Sequence, residues 1–332
     1  MKEAHRLFDR RVIVVLGKGG VGKSSVTAAT AVLAASSGMK VLVVELAGQC
    51  AMQELLGGPG GGYEPVERRP NLFSLSVTPE ESMEEYLVRE LRSKQLYRLM
   101  FKNPYVAPFI DAVPGLDDLM SIGKVMDLER EKAPNDPERA RWDLIVVDAP
   151  STGQGANLLR VAKAMMDMTR MGPFYQSTKL IHDMLTDPRK TVINLVTLPE
   201  EMPVNETVEM HRALQRDLDI RQGYLIVNSV REPVVDAGHD KWLRRLYERG
   251  PSPSAREPDA IRALLRTALE LQRRALLERG HIARLAAEVS LPMISLPLLA
   301  VRNLGPNEID ALSARLSHEL SGRELEEVGR EP

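Results

Sequence analysis

The sequence predicts an α/β protein: a doubly wound, mostly parallel sheet of about seven to eight strands, with helices on both faces and a helical insertion. Three observations predict it. Short apolar runs at 12–16, 41–45, 72–77, 144–147, 191–196, 224–227 and 293–296 alternate with longer stretches of helical periodicity. Most of the runs are nearly continuous Val, Ile and Leu, the composition of parallel strands covered on both faces. The first run leads through a glycine-rich loop into a helical stretch, 26–36, which makes one strand–loop–helix unit.

Between the runs, the punctuation is set by glycine and proline. Residues 57–62 form a glycine-rich turn, expected to be mobile. Residues 80–132 are helical in pattern, broken at Asn103-Pro104 and Pro114-Gly115, and 133–139, with Pro134 and Pro137, reads as a polar linker. A further break is expected over 247–257, at Gly250, Pro251 and Pro253. Residues 258–288 then read as a long charged helix, with Gly280 as the place where it would bend or split. Its apolar stripe is Ile261, Leu264, Leu265, Ala268, Leu271, Ala275 and Leu276. The expected organisation is a single nucleotide-binding domain over 1–332, with a helical subdomain formed mainly by 80–132 and 156–188.

Composition excludes several classes. A net charge of −2 supplies no basic field for nucleic acid and no polybasic membrane patch. The single cysteine, Cys50, can form neither an internal disulfide nor a Cys-x-x-Cys metal pair. No apolar run approaches the ~20 residues that span a bilayer. The start of the chain, interrupted by Arg6, Asp9, Arg10 and Arg11, carries no signal pattern, so the expected location is cytoplasmic.

The chemistry is concentrated in Gly17-Lys18-Gly19-Gly20-Val21-Gly22-Lys23-Ser24-Ser25, which satisfies G-x-x-x-x-G-K-S. In such a loop the backbone N–H groups of Gly17, Gly19, Gly20, Val21 and Gly22 can close around phosphate oxygens, and the following helix adds the positive end of its dipole. Lys23 would reach the β- and γ-phosphates, and the hydroxyl of Ser24, with Ser25 beside it, would complete a Mg²⁺ shell. Gly17, Gly19 and Gly22 also spell G-x-G-x-x-G, with Glu45 near the dinucleotide-binding distance. Lys23-Ser24 favours a magnesium nucleotide over a dinucleotide, as does Asp148 at the end of the run Leu144-Ile145-Val146-Val147, where a carboxylate can hold Mg²⁺. The plainer alternative for Asp148 is a helix cap after a buried strand. Gly153 and Gly155 suit a segment that changes shape when the γ-phosphate is lost.

With Lys18 added, the loop resembles that of the deviant P-loop ATPases, which include the arsenite-pump ATPase, the tail-anchored-protein targeting ATPase and the cell-division positioning ATPase MinD. Asp148-Ala149-Pro150-Ser151-Thr152-Gly153, Ile226-Val227-Asn228-Ser229 and Leu296-Pro297-Leu298-Leu299 are most similar to the arsenite-pump and targeting branch. The resemblance implies that Lys18 acts across a homodimer interface on the partner's ATP, that Asn228 recognises adenine and that Pro297 closes over the base. It also implies that the helix glutamate of Asn205-Glu206-Thr207 meets the partner's nucleotide. The implied cofactors are ATP and Mg²⁺, and the implied partner is a protein client or a membrane-protein partner. Two departures stand out. The usual switch Asp after the second strand is missing from Glu45-Leu46-Ala47-Gly48-Gln49-Cys50, so Glu45 or Gln49 is left to orient the attacking water, or Glu45 only supports the magnesium's own ligands or acts as a cap. Cysteine clusters for zinc or arsenite are missing as well.

The 15 methionines beside 5 phenylalanines raise the prospect of an adaptable apolar surface. Met165, Met166, Met168 and Met171, and a second stripe through Leu87, Leu91, Leu96, Tyr97, Leu99, Met100 and Phe101, would form a client groove or simply pack on the sheet. The helix over 117–132 suits the core equally well. The expected function is an ATP-binding and ATP-hydrolysing dimeric switch that couples nucleotide state to a partner; the alternative is a MinD-like positioning scaffold with weak catalysis.

Overall fold

The computed structural model describes residues 5–46, 51–93, 95, 115–150, 160–167, 171–218, 220–251 and 257–328. All seven predicted strands form: β1 (Val12–Leu16), β2 (Val41–Leu46), β4 (Leu72–Val77), β7 (Leu144–Asp148), β8 (Thr191–Thr197), β9 (Gln222–Val230) and β10 (Met293–Pro297). Every pairing among them is parallel. An eighth strand, β3 (Val66–Arg69), adds antiparallel to β4 at one edge, giving the order β10-β9-β8-β1-β7-β2-β4-β3. β3 escapes sequence reading because its four residues, Val66-Glu67-Arg68-Arg69, include three charges, and the side chains of an edge strand need not be apolar.

The helices are α1 (His5–Phe8), α2 (Lys23–Ser36), α3 (Ala51–Leu56), α4 (Pro79–Leu91), α5 (Leu116–Arg130), α6 (Pro173–Thr186), α7 (Glu201–Ala213), α8 (Asp240–Arg249), α9 (Pro258–Glu288) and α10 (Pro306–Val328). They divide between the two faces because side chains alternate along each strand. Val12, Val14 and Leu16 pack with Ile122 and Val125 of α5, Ile181 of α6 and Val204 of α7. Ile13 and Val15 pack with Val26 and Ala29 of α2, Met52 of α3 and Leu316 of α10. The central helix α2 is buried from Ser25 to Ala34, and its alanines let it lie between the sheet and α10.

Several expectations need correction. Residues 133–139 are not a linker: β5 (Lys132–Ala133) and β6 (Asp136–Ala140) pair antiparallel across a two-residue Pro134-Asn135 turn, a ribbon too polar to announce itself by apolar alternation. The glycine turn at 57–62 is tied down, since the Arg68 guanidinium donates to the carbonyls of Gly57 and Pro59 and Ser76 N donates to Gly62 O. α8 runs through Tyr247 to Arg249, because the first residue able to stop it is Gly250, with φ of 68°. α9 passes Gly280 unbroken, and its stripe is only partly used: Ala275 is buried, whereas Ile261, Leu264 and Leu271 face solvent. The core reading of 117–132 holds, with Leu119, Met120, Ile122, Val125, Met126 and Leu128 all buried in α5. Of the methionine stripe, Met165 is buried and Met171 is 81% exposed; Met168 and Leu96 to Phe101 lie outside the described residues. Among the described residues no helix is long and apolar enough to cross a membrane.

Candidate functional site

The loop 17–22 leaves the C-terminal end of β1 and enters α2 at Lys23, so it lies beside the C-terminal end of β7 on one side and β8 on the other. Its path depends on glycine at two points. A Cβ on Gly17 would come closer than 3.0 Å to the backbone oxygen of Val196 in β8, so only a bare Cα can pass there. Gly22, the residue before α2, has φ of 85° and ψ of 30°, a left-handed geometry that L side chains adopt at a cost. The first turn of α2 contributes no acidic residue of its own against an anion at that helix end.

Lys23 folds back over the loop, where its Nζ donates to Lys18 O at 3.1 Å. Burial pulls its amine below the usual lysine range, with Asp148 acting against that pull. Ser24 Oγ donates to Asp148 Oδ2 at 2.6 Å, and Thr27 Oγ1 to Asp148 Oδ1 at 3.4 Å. Asp148 is 4% exposed; desolvation pushes its carboxyl above the ordinary aspartate range, against the Ser24 bond, Lys23 and Thr27. A buried carboxylate so poorly solvated is one that a cation would stabilise. Serine hydroxyl and carboxylate are hard oxygen donors, and few protein ligands plus phosphate oxygens suit Mg²⁺, so the donor set fits that ion. Thr27 was not singled out in the sequence; its signal is the spacing of three from Ser24, which puts both hydroxyls on one face of α2.

Glu45 comes to the same place. In the β2–β7 register it stands directly beside Asp148, and it is 2% exposed. Its Oε1 accepts from Met52 N at 3.1 Å, at the start of α3. Burial raises its carboxyl above the ordinary glutamate range; the amides of Met52 and Ala51 oppose this, and Asp148 reinforces it. The geometry is therefore that of a cap on α3, one of the alternatives open for this residue. Gln49, the other group considered for water, lies outside the described residues, as do Cys50 and 151–159.

On the other flank, Asn228 of β9 is buried and its Nδ2 donates to Val21 O at 2.9 Å, while a Cβ on Gly22 would come closer than 3.0 Å to that nitrogen. Asn228 thus braces the loop from β9. Ser25 is buried against the sheet, and Gly19 and Gly20 are exposed at the loop's crest. Pro297 ends β10, beyond β9, with Leu298 N donating to Val230 O at 2.9 Å. Lys18 Nζ pairs with Glu206 Oε1 of α7 at 2.6 Å, with the two side chains 31% and 33% exposed. The sequence marked both residues but gave no reason to join them.

A family model described as an anion-transporting ATPase matches residues 10–171 and 156–241. The chain is 34% identical over 236 residues to ATPase BagA of Mycobacterium tuberculosis, covering 67% of this chain and 66% of that protein. It is 26% identical over 285 residues to the arsenical pump-driving ATPase of Acidiphilium multivorum, covering 77% and 45%. It is 24% identical over 270 residues to ATPase GET3C of Arabidopsis thaliana, covering 67% of each. The chain therefore spans about two thirds of the length of the mycobacterial and plant relatives and under half of the arsenical pump protein.

Proposed function

The chain belongs to the anion-transporting ATPase family, and from that premise we propose that it binds and hydrolyses ATP as a nucleotide-gated homodimeric switch for a partner or hydrophobic client. The observation that carries this reading is the 2.6 Å bond from Ser24 Oγ to Asp148, one residue beyond Lys23. It sets a metal-type oxygen pair against the phosphate loop, which a dinucleotide site does not need.

In this reading the amides of 17–22 bind the β-phosphate and Lys23 swings from Lys18 O to the γ-phosphate. Ser24 and Asp148 would hold Mg²⁺, which when bound neutralises charge on the β- and γ-oxygens. Asn228 faces the base and Pro297 closes the edge beside it. Lys18 leaves Glu206 and reaches the nucleotide of a second copy, stabilising charge that develops on the transferred phosphoryl group. Glu45 caps α3, and Met52 N–H occupies its Oε1, which leaves it fewer lone pairs with which to orient water. That occupation supports slow hydrolysis, as expected of a chain lacking the usual switch Asp. The exposed Met171, just before α6, and the helices α4 to α6 are where a client would bind.

ATP turnover and light scattering, with Mg²⁺, on wild type, Lys18→Ala and Lys23→Ala test the reading. Lys23→Ala is expected to lose nucleotide binding, and Lys18→Ala to bind ATP but lose turnover and ATP-dependent dimerisation. Wild-type turnover in both variants would refute it.

A further inference from the structure

The N-terminal edge of the sheet, opposite the phosphate loop, carries a cleft of about 280 Å³ where β8 and β9 begin. Arg10, Asn194, Arg221 and Tyr224 line it together with the apolar Leu7 and Pro292. Two polar atoms of the residues that line it are buried without a hydrogen-bond partner among the described residues: Arg10 Nε and Asn194 Nδ2. Asn194 is 1% exposed in the interior strand β8, where an unpaired N–H is costly. Its orientation is settled by its other end, since Tyr224 N donates to Asn194 Oδ1 at 2.9 Å. Flipping the amide would set donor against donor. Gly223 secures the arrangement: a Cβ there would come closer than 3.0 Å to Asn194 Oδ1 and Val192 Cγ2. The neighbouring Gln222 is already engaged with His211, through its Oε1 at 2.7 Å and its Nε2 at 3.3 Å.

Both unpartnered atoms are donors, and the two guanidinium groups make the cleft positive. Arg10 donates only to the backbone oxygen of Asp9, and neither Arg10 nor Arg221 has a carboxylate in ion-pair range among the described residues. Guanidinium forks and a carboxamide N–H match the lone pairs of an oxyanion, and apolar walls beside them favour a small organic anion over a hydrated ion. The volume is at the lower end of ligand pockets, about 300 Å³. We propose that the cleft formed by Arg10, Asn194 and Arg221 is a binding site for a small oxyanion, a carboxylate or a phosphate. It is separate from the nucleotide site and does not depend on the ATPase reading.

Isothermal titration calorimetry of the full chain in an oxyanion-free buffer tests this, with inorganic phosphate in one arm and succinate in the other. Saturable binding is expected in at least one arm, and the arm that binds identifies the ligand as phosphate or carboxylate. Each of Arg10→Gln and Arg221→Gln should weaken that binding about tenfold or more, the loss of one charge-assisted contact. Both arginines are partly or fully exposed, so the variants should melt like wild type, which a thermal scan verifies. Absence of binding in both arms at millimolar anion overturns the proposal. So does binding left unchanged by both substitutions, which would locate the anion elsewhere, as in the glycine loop.

Discussion

Replacing Gly22 by alanine strikes the loop in two separable ways. With φ of 85° the residue occupies the left-handed region, which costs a non-glycine residue ~1–2 kcal/mol. The new Cβ also falls closer than 3.0 Å to Asn228 Nδ2, so that amide must swing off Val21 O and give up a buried hydrogen bond, a net loss of about 1 kcal/mol. Gly22→Ala should therefore cost roughly 2–3 kcal/mol in all. Gly20 has the same φ of 85°, but a Cβ there meets nothing within 4 Å, so Gly20→Ala should cost only the strain. The assay is urea denaturation of the nucleotide-free protein for Gly20→Ala, Gly22→Ala, Asn228→Ala and the Gly22→Ala/Asn228→Ala double variant. Removing the Asn228 side chain removes the clash, so Gly22→Ala should cost less in that background, with a coupling of about 1 kcal/mol. Equal costs for Gly20→Ala and Gly22→Ala, or a cycle without coupling, would refute the reasoning.

Two more perturbations follow from the electrostatics. Burial holds the Glu45 and Asp148 carboxyls above their ordinary values, so the folded chain binds these protons more tightly than the unfolded one. Their contribution is complete below about pH 4 and is lost as pH rises through the folded values. Glu45→Gln should flatten the fall of melting temperature with pH in nucleotide-free protein, and a wild-type slope would contradict the cause given. For the same reason Asp148→Asn should raise the melting temperature of the nucleotide-free protein while abolishing Mg²⁺-dependent turnover; a lower melting temperature would count against it. Glu206→Gln breaks an ion pair that is about one third exposed and so contributes at most about 1 kcal/mol. Its melting temperature should stay within about 2 °C of wild type, and a larger drop would mean that the pair anchors the loop.

Most of the parallel strands were legible because they are buried on both faces, which keeps β1 and β7 almost wholly apolar. β3 and the β5–β6 ribbon were not, since exposed or edge backbone can pair under charged side chains. The half-exposed stripe of α9 shows the converse limit. Helical periodicity in Ile261, Leu264 and Leu271 states that a helix has an apolar face but not that anything covers it.

The sequence by itself determined the phosphate loop, its lysines, the serine after them and the carboxylate at the end of β7. Each is specified by local chemistry: bare Cα atoms, a helix start, a strand end. What stands beside what is a matter of register and crossing, which only the tertiary structure decides. Parallel pairing puts Glu45 next to Asp148, and the β9 strand brings Asn228 under Val21 across 207 positions. The start of α3 then takes the oxygen of Glu45 that sequence reasoning had offered to water, because Met52 N–H needs an acceptor there. The packing of α7 likewise joins Lys18 to Glu206, leaving the lysine paired within its own chain.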